Sequence, residues 1–260
     1  MNTRGDDGSR SARLPRVLQR PAALVQTIVR ATGRRQSPRY VYESDGMATA
    51  WYSPFLDNGE WQAHYDEMAR DWFTGGVVDV RWRMWILTEL ARSADGSGAF
   101  AEFGTNRGGC AYMMLVATRK SPLYMFDTFA GIPDTNLTEQ ERAAGFAHSW
   151  SDASVQHVKE RLAQWPERTR FCVGDVFETL DSAETGVLAL VHLDLNAAAA
   201  TRRALEYAHP RLRTGGVVVC DDYGGTGYED QRAVIDSFFA GTRDRPVALP
   251  TGQALVVKSP

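Results

Sequence analysis

Three carboxylates stand at the ends of two apolar runs. Residues 187–196 read Val-Leu-Ala-Leu-Val-His-Leu-Asp-Leu-Asn and break at Asp194; residues 215–222 read Gly-Gly-Val-Val-Val-Cys-Asp-Asp and end at Asp221 and Asp222. Val- and Leu-rich runs bounded by glycine and polar residues predict strands buried on both faces of a parallel sheet. In open α/β sheets ligands bind outside the carboxyl ends of the strands, so all three acids fall where a site is expected. Such a cluster of oxygen ligands suits a hard divalent cation such as Mg²⁺. The alternatives are a helix N-cap at Asp194 and an Asx-type turn at Asp221 or Asp222. A turn accounts for only one of the adjacent pair.

A second set of residues points to a nucleoside. The segment Glu102-Phe103-Gly104-Thr105-Asn106-Arg107-Gly108 has the spacing E-x-G-x-x-x-G, not the G-x-G-x-x-G of dinucleotide enzymes. Gly104 permits close approach of backbone to a ligand, and Gly108 lets a helix start close to the strand. Asp127 closes the next apolar run, where a carboxylate can accept from both ribose hydroxyls. Gly174-Asp175-Val176 closes the one after, where an acid can meet an adenine amino group. No phosphate cradle accompanies them, which favours a nucleoside without phosphates.

Positioning these groups requires alternating elements. Strands are predicted at residues 99–104, 123–127, 170–173, 187–194 and 216–220, with helices from after Gly109 to about 120 and at 152–164, 176–180, 197–209 and 228–239. Two final strands at 245–249 and 254–258 flank Pro250-Thr-Gly252. The alternation predicts an α/β fold: a mostly parallel sheet with an antiparallel last strand and helices on both faces. Upstream, residues 1–14 are expected to be a disordered tail and 15–97 a helical N-terminal extension, with helices at 15–32, 57–73 and 78–94. The aromatic-rich part of that extension, Trp51 to Phe73, either packs on the main domain or walls a substrate pocket. Residues 128–150 are expected to form a long loop without secondary structure that closes as a lid.

Composition bounds the partners. The chain has 260 residues, is 43% hydrophobic and carries a net charge of -3, which argues against a nucleic-acid or anionic-membrane partner. Nine arginines against Asp6 and Asp7 give the first forty residues a charge of +7 and leave -10 on the rest. Cys110, Cys172 and Cys220 lie in apolar segments without ligand spacing and read as buried thiols of a reducing compartment. No apolar run reaches the ~20 residues of a membrane span. A cytoplasmic protein is expected, associating with other copies of itself through its N-terminal helices and taking a small-molecule acceptor.

The motifs together resemble the macrocin O-methyltransferase family of class I S-adenosylmethionine-dependent methyltransferases. The resemblance rests on Glu102-Phe-Gly-Thr-Asn-Arg-Gly-Gly109, Phe126-Asp-Thr-Phe-Ala-Gly-Ile-Pro133, Asp152-Ala-Ser154, His192-Leu-Asp-Leu-Asn196, Cys220-Asp-Asp-Tyr-Gly224 and Leu249-Pro-Thr-Gly-Gln253, and covers about residues 98–258. It implies a Rossmann-like methyltransferase domain over 98–260 that O-methylates a sugar or catechol-like hydroxyl of a natural product. It implies that Asp194, Asp221 and Asp222 hold Mg²⁺. It also implies that S-adenosylmethionine meets Glu102, Phe103, Gly104, Thr105, Asn106, Gly108, Asp127, Thr128, Ser154, Asp175 and Val176. Many family members place a second acid two residues after the acid matching Asp194, in the role of general base. Here that position is Asn196, and an amide cannot take the proton. The catalytic set is therefore Asp194, Asn196 and a base from elsewhere, with His148 the first candidate and His64 or Tyr223 the others. An acidic phenol needing no base, or a non-methylating or N-methylating use of the site, are the remaining possibilities. His192 is expected to be a packed core histidine.

Overall fold

An Asp-Gly dipeptide turns the first hairpin among the described residues. In the computed structural model, which describes residues 40–72 and 79–260, strands β1 (Tyr42–Ser44) and β2 (Met47–Thr49) form an antiparallel hairpin. Asp45 and Gly46 turn it, both with positive φ (52° and 70°), the conformation a two-residue primed turn demands. The extension before residue 98 is therefore not wholly helical. Helices α1 (Gly59–Trp72) and α2 (Arg81–Ala94) follow. The tail expected over 1–14 and the helix over 15–32 lie outside the described residues.

Strands and helices alternate next, with two helices between β4 and β5: β3 (Ala99–Phe103), α3 (Gly109–Ala117), β4 (Leu123–Asp127), α4 (Glu139–Ala143), α5 (Val155–Arg161), β5 (Thr169–Val173), α6 (Val176–Thr179), β6 (Leu188–Leu193), α7 (Ala198–Arg211), β7 (Leu212–Cys220) and α8 (Glu229–Phe239). Two short strands, β8 (Val247–Ala248) and β9 (Ala254–Val257), end the chain. One seven-stranded sheet results, in the order β5-β4-β3-β6-β7-β9-β8. Its first five strands are parallel, and β9 inserts antiparallel between β7 and β8.

The connection direction reverses between β3 and β6, whose residues are buried throughout. This is the switch point at which a crevice opens beyond the strand ends. One face of the sheet is covered by a core including Phe55, Trp61, Met84, Leu87 and Met113, the other by one including Phe103, Phe126, Leu205 and Phe239. The aromatics of the extension belong to the first core. Trp61 stacks on Tyr65 with ring centroids 5.4 Å apart and donates its indole N–H to Thr88 Oγ1 at 3.1 Å. Trp51 and Tyr52 are exposed. Among the described residues no helix is long and apolar enough to cross a membrane.

Three expectations need correction. β7 begins at Leu212, four residues early, because a register irregularity opposite β6 admits Gly215 and Gly216 into the strand. Helix α5 begins only after Ser154, three residues later than the expected residue 152. The stretch 128–150 is not without structure: it holds a 3₁₀ turn (Asp134–Asn136) and α4. Thr138 and Glu141 form a reciprocal capping box at the start of α4, the arrangement that satisfies two orphan N–H groups at once.

Glu141 also anchors this segment. Its side chain is buried, and its Oε1 accepts from the backbone N–H of Ala198 at 2.8 Å, while Oε2 accepts from Thr138 N–H at 2.9 Å. The start of α7 is thus capped from the 128–150 segment and not by Asp194. Glu141→Ala strands two buried donors, which costs roughly 1–3 kcal/mol. Thermal unfolding should register that loss, and limited proteolysis should show faster cleavage inside residues 134–150.

Candidate active site

Gly104 sets the geometry of the crevice. It leaves β3 with φ +89°, and a Cβ built there would lie 1.8 Å from the carbonyl oxygen of Asp194. Only glycine lets the β3 turn pass so close to the end of β6. The ladder continues to this point, with Asp194 N–H donating to Phe103 O at 2.8 Å. Beyond it lies a cavity of about 610 Å³ over the carboxyl ends of β3 to β7, walled in part by Gly104, Asp127, Asp175, Asp194, Asp221 and Asp222.

One end of this cavity gathers the residues expected at a nucleoside. Thr105, Asn106, Thr128 and Val176 join Gly104, Asp127 and Asp175 in its wall. The Asp127 carboxylate is oriented by two backbone donors, Asn106 N–H to Oδ2 at 2.7 Å and Phe129 N–H to Oδ1 at 2.6 Å. Burial raises its pKa even so, outweighing those bonds. Asp175 is more committed: Oδ1 caps α6 through Phe177 N–H at 3.0 Å, and Oδ2 accepts from Asn136 Nδ2 at 2.7 Å. The side-chain oxygens Thr105 Oγ1 and Asn106 Oδ1 are buried and without a partner. Orphaned polar atoms in a cavity floor are unusual and call for a ligand or water.

At the other end the three acids come together. Asn196, held at φ 54°, donates its Nδ2 to Asp194 Oδ1 at 3.3 Å. Its own Oδ1 is buried and unpaired, as is Asp222 Oδ2. Asp221 Oδ1 accepts from Gln253 Nε2 at 2.7 Å. Arg83, reaching in from α2, donates Nη1 to Asp221 Oδ2 at 2.9 Å and to its backbone oxygen at 3.1 Å. The same guanidinium grips Asp45 at the hairpin tip, with Nε to Oδ2 at 2.6 Å. It also lies 3.8 Å from Asp222. His192 is the packed core histidine expected, with acids on either side. It is fully buried with Nε2 3.5 Å from Asp221 Oδ1 and Nδ1 3.7 Å from Glu102 Oε1.

Charge follows from these contacts. Burial opposes a charged His192, but its bond to Asp221 and the nearby Glu102 carboxylate prevail and carry its pKa up to about 10. Asp221 shows the converse: burial would raise it, but the His192 bond and the charges of His192 and Arg83 hold it well below the usual range. Asp194 is pushed up to about 7 by burial and by the charge of Asp221. Asp222 is driven upward by burial, then by Asp194 and Asp221. Arg83 and His192 face Asp45, Glu102, Asp221 and Asp222. Crowded, dehydrated carboxylates with a deficit of positive charge and an unpaired oxygen are what a hard divalent cation neutralises. The residues present fit such an ion.

Other expected site residues lie elsewhere. Glu102 sits one layer below the cavity, fully buried, and burial raises its pKa. Phe103 is a core side chain stacked on Phe126 at 4.7 Å. Gly108 starts α3 where a Cβ would lie 2.8 Å from Val158 Cγ1, so it serves helix packing. Ser154 is exposed at the N-cap of α5. His148 is exposed on a left-handed turn and outside the cavity wall. His64 bonds Tyr112 at 2.9 Å in a separate cleft. Tyr223 donates to Asp236 at 2.7 Å, away from the wall, and burial together with Asp236 pushes its phenol up to about 12. Conversely, Asp45, Arg83, Cys110, Trp150 and Tyr228 line the cavity without having been singled out.

A reversed-direction parallel sheet with an inserted antiparallel strand, a glycine turn after β3 and an acid ending β4 is the architecture of class I S-adenosylmethionine-dependent methyltransferases. The model of the family Macrocin-O-methyltransferase (TylF) matches residues 61–243. The chain belongs to that family, and the match starts in α1, upstream of the expected residue 98. Over 143 residues it is 32% identical to 8-demethyl-8-(2,3-dimethoxy-alpha-L-rhamnosyl)-tetracenomycin-C 4'-O-methyltransferase of Streptomyces olivaceus, covering 50% of this chain and 55% of that one. Over 138 residues it is 28% identical to demethyldecarbamoylnovobiocin O-methyltransferase of Streptomyces niveus, covering 48% and 53%. The chain thus spans about half the length of the curated relatives it matches. Among solved structures, the O-methyltransferase NovP superposes with TM-score 0.62 at 22% identity, covering 68% of this chain and 80% of that one. Calicheamicin methyltransferase CalS11 gives 0.61 at 17% identity, covering 87% and 98%.

Proposed function

We propose that this chain transfers a methyl group from S-adenosylmethionine to a hydroxyl of a small natural product, sugar or catechol-like, with Mg²⁺ at Asp194, Asp221 and Asp222. One observation carries this reading: three desolvated carboxylates and an oriented Asp127 face one another across a single cavity. The names of the relatives, which include O-methyltransferases of glycosylated natural products, agree with it. When bound, the cation would supply Lewis acidity and lower the pKa of an acceptor oxygen. The chain's residues do the rest. Asp127 receives ribose hydroxyls, Asp175 and Val176 border the adenine, and the bare Gly104 turn leaves room for the sulfonium portion. Arg83 and Gln253 fix the Asp221 carboxylate between them.

A second reading, binding of the cofactor without O-methylation, is favoured by Asn196, whose amide occupies a place suited to a base. Calorimetry with S-adenosylhomocysteine, then mass spectrometry of reactions with S-adenosylmethionine, Mg²⁺ and a panel of glycosides and catechols, separates the two. A methylated acceptor supports the first; binding without any methylated product supports the second. Asp127→Asn places an amide against two backbone donors, so S-adenosylhomocysteine affinity should fall at least roughly tenfold, as loss of about one charged hydrogen bond implies. Association of copies through the N-terminal segment belongs to the same proposal. The mass in solution of the full chain and of a chain lacking residues 1–40 tests it, and equal masses per subunit number count against it.

A further inference from the structure

We infer that the acceptor oxygen is an acidic hydroxyl, phenolic or enolic, and that Asn196 positions it without taking its proton. This rests on the O-methyl transfer proposed above and narrows its substrate class. The observation is the chemistry of the cavity wall. Among the described residues the wall contains no histidine, lysine or glutamate. Its aspartates are committed: Asp45 to Arg83, Asp127 to two backbone N–H groups, Asp152 to Arg107, and Asp175 to Phe177 N–H and Asn136. The remaining three, Asp194, Asp221 and Asp222, form the cation cluster. Cys110 is fully buried against Met84, and Tyr228 is a phenol facing the acid cluster.

The five histidines of the chain are accounted for. His64 and His157 line another cleft, His148 is exposed off the wall, His192 lies beneath the acids and His209 pairs with Asp244. Residues 1–39 and 73–78 contain no histidine, lysine, tyrosine or glutamate. Asn196 has spare capacity beside the cluster: its Nδ2 is spent on Asp194, and its buried Oδ1 can accept a hydrogen bond but not keep a proton. A general base contributes typically ~10²–10⁴-fold, so a site without one suits an acceptor that ionises readily. A phenol has a pKa near ~10, against ~16 for water-like hydroxyls. The step balances: the acceptor O–H breaks and its proton leaves to solvent, an O–CH₃ bond forms as the C–S bond breaks, and the sulfonium becomes the neutral thioether of S-adenosylhomocysteine.

The test uses the full chain with S-adenosylmethionine and Mg²⁺, a series of ring-substituted catechols and methyl α-L-rhamnopyranoside. The wild type should methylate the catechols at least roughly 10²-fold faster in kcat/KM than the rhamnoside. Asn196→Asp should raise turnover of the rhamnoside by about tenfold or more, a gain that a merely structural role for residue 196 does not produce. Equal or faster methylation of the rhamnoside by the wild type overturns the inference. Methylation of neither class by a protein that binds S-adenosylhomocysteine overturns the underlying methyl-transfer reading, as does failure to bind S-adenosylhomocysteine.

Discussion

Gly104→Ala is expected to lower the melting temperature by roughly 4–24 °C and to abolish S-adenosylhomocysteine binding. Two terms add. Holding a side chain at φ +89° costs about 1–3 kcal/mol, and forcing extra volume into a packed site costs a further ~1–3 kcal/mol. The neighbour in the way is the carbonyl oxygen of Asp194 at 1.8 Å, with its carbonyl carbon at 2.6 Å. These are backbone atoms, so no rotamer change relieves the clash, and the ends of β3 and β6 must separate. For a domain of this size each kcal/mol is worth about 2–4 °C. Gly145→Ala is the control. It also has positive φ, +84°, but nothing lies within 4 Å of the added Cβ, so it should show only the ~1 kcal/mol conformational term. Equal effects of the two substitutions would contradict the packing account.

Asp194→Asn is expected to stabilise the metal-free protein at pH 8 while cutting methyl transfer by on the order of 10² or more. The Asp194 pKa rises to about 7 in the fold, through burial and the charge of Asp221, from about 3.9 in an unfolded chain. The folded state therefore holds this proton more tightly. Below pH 4 both states are protonated and nothing is lost; between about 4 and 7 stability falls as pH rises; above 7 the loss is complete. By linkage the loss is on the order of 1–4 kcal/mol. Asparagine removes the charge at nearly constant shape and should flatten that slope. Denaturant titrations from pH 4 to 8 in chelator check it, and an unchanged slope or a less stable variant at pH 8 would count against a strained acid cluster. Destabilising charges kept in place are a signature of function.

Local signals in the sequence carried much of the fold. The run ending at Asp194 is a buried strand, the alternation is a mostly parallel sheet, and Asp127, Asp221 and Asp222 end the strands expected. Two further local signals stood in plain sight: Asp45-Gly46 is a primed hairpin turn, and Thr138-x-x-Glu141 a capping box. Hidden from any local pattern was convergence across the chain. Arg83 meets Asp221 across 138 residues of sequence, and no spacing rule announces that an arginine on an amphipathic helix turns toward an acid pair. The same holds for Gln253, whose motif was visible but whose hydrogen bond to Asp221 was not. His192 is the buried core histidine expected, but its acid partners were hidden for a related reason. Its neighbours along the strand are apolar, while the groups that charge it, Glu102 and Asp221, sit on the strands to either side. Phe103 and Gly108 belong to the motif at the end of β3 but serve packing, the first stacked on Phe126 and the second starting α3 against Val158.

The central claim is that one cavity joins a methyl-donor end to a divalent cation held by Asp194, Asp221 and Asp222. Its most direct test is transfer of radiolabelled methyl from S-adenosylmethionine to a catechol, measured after exhaustive chelation and again after Mg²⁺ is restored. The account predicts transfer lost on chelation, recovered with Mg²⁺, and not recovered in Asp222→Asn. Transfer that persists at its full rate in chelator would contradict it.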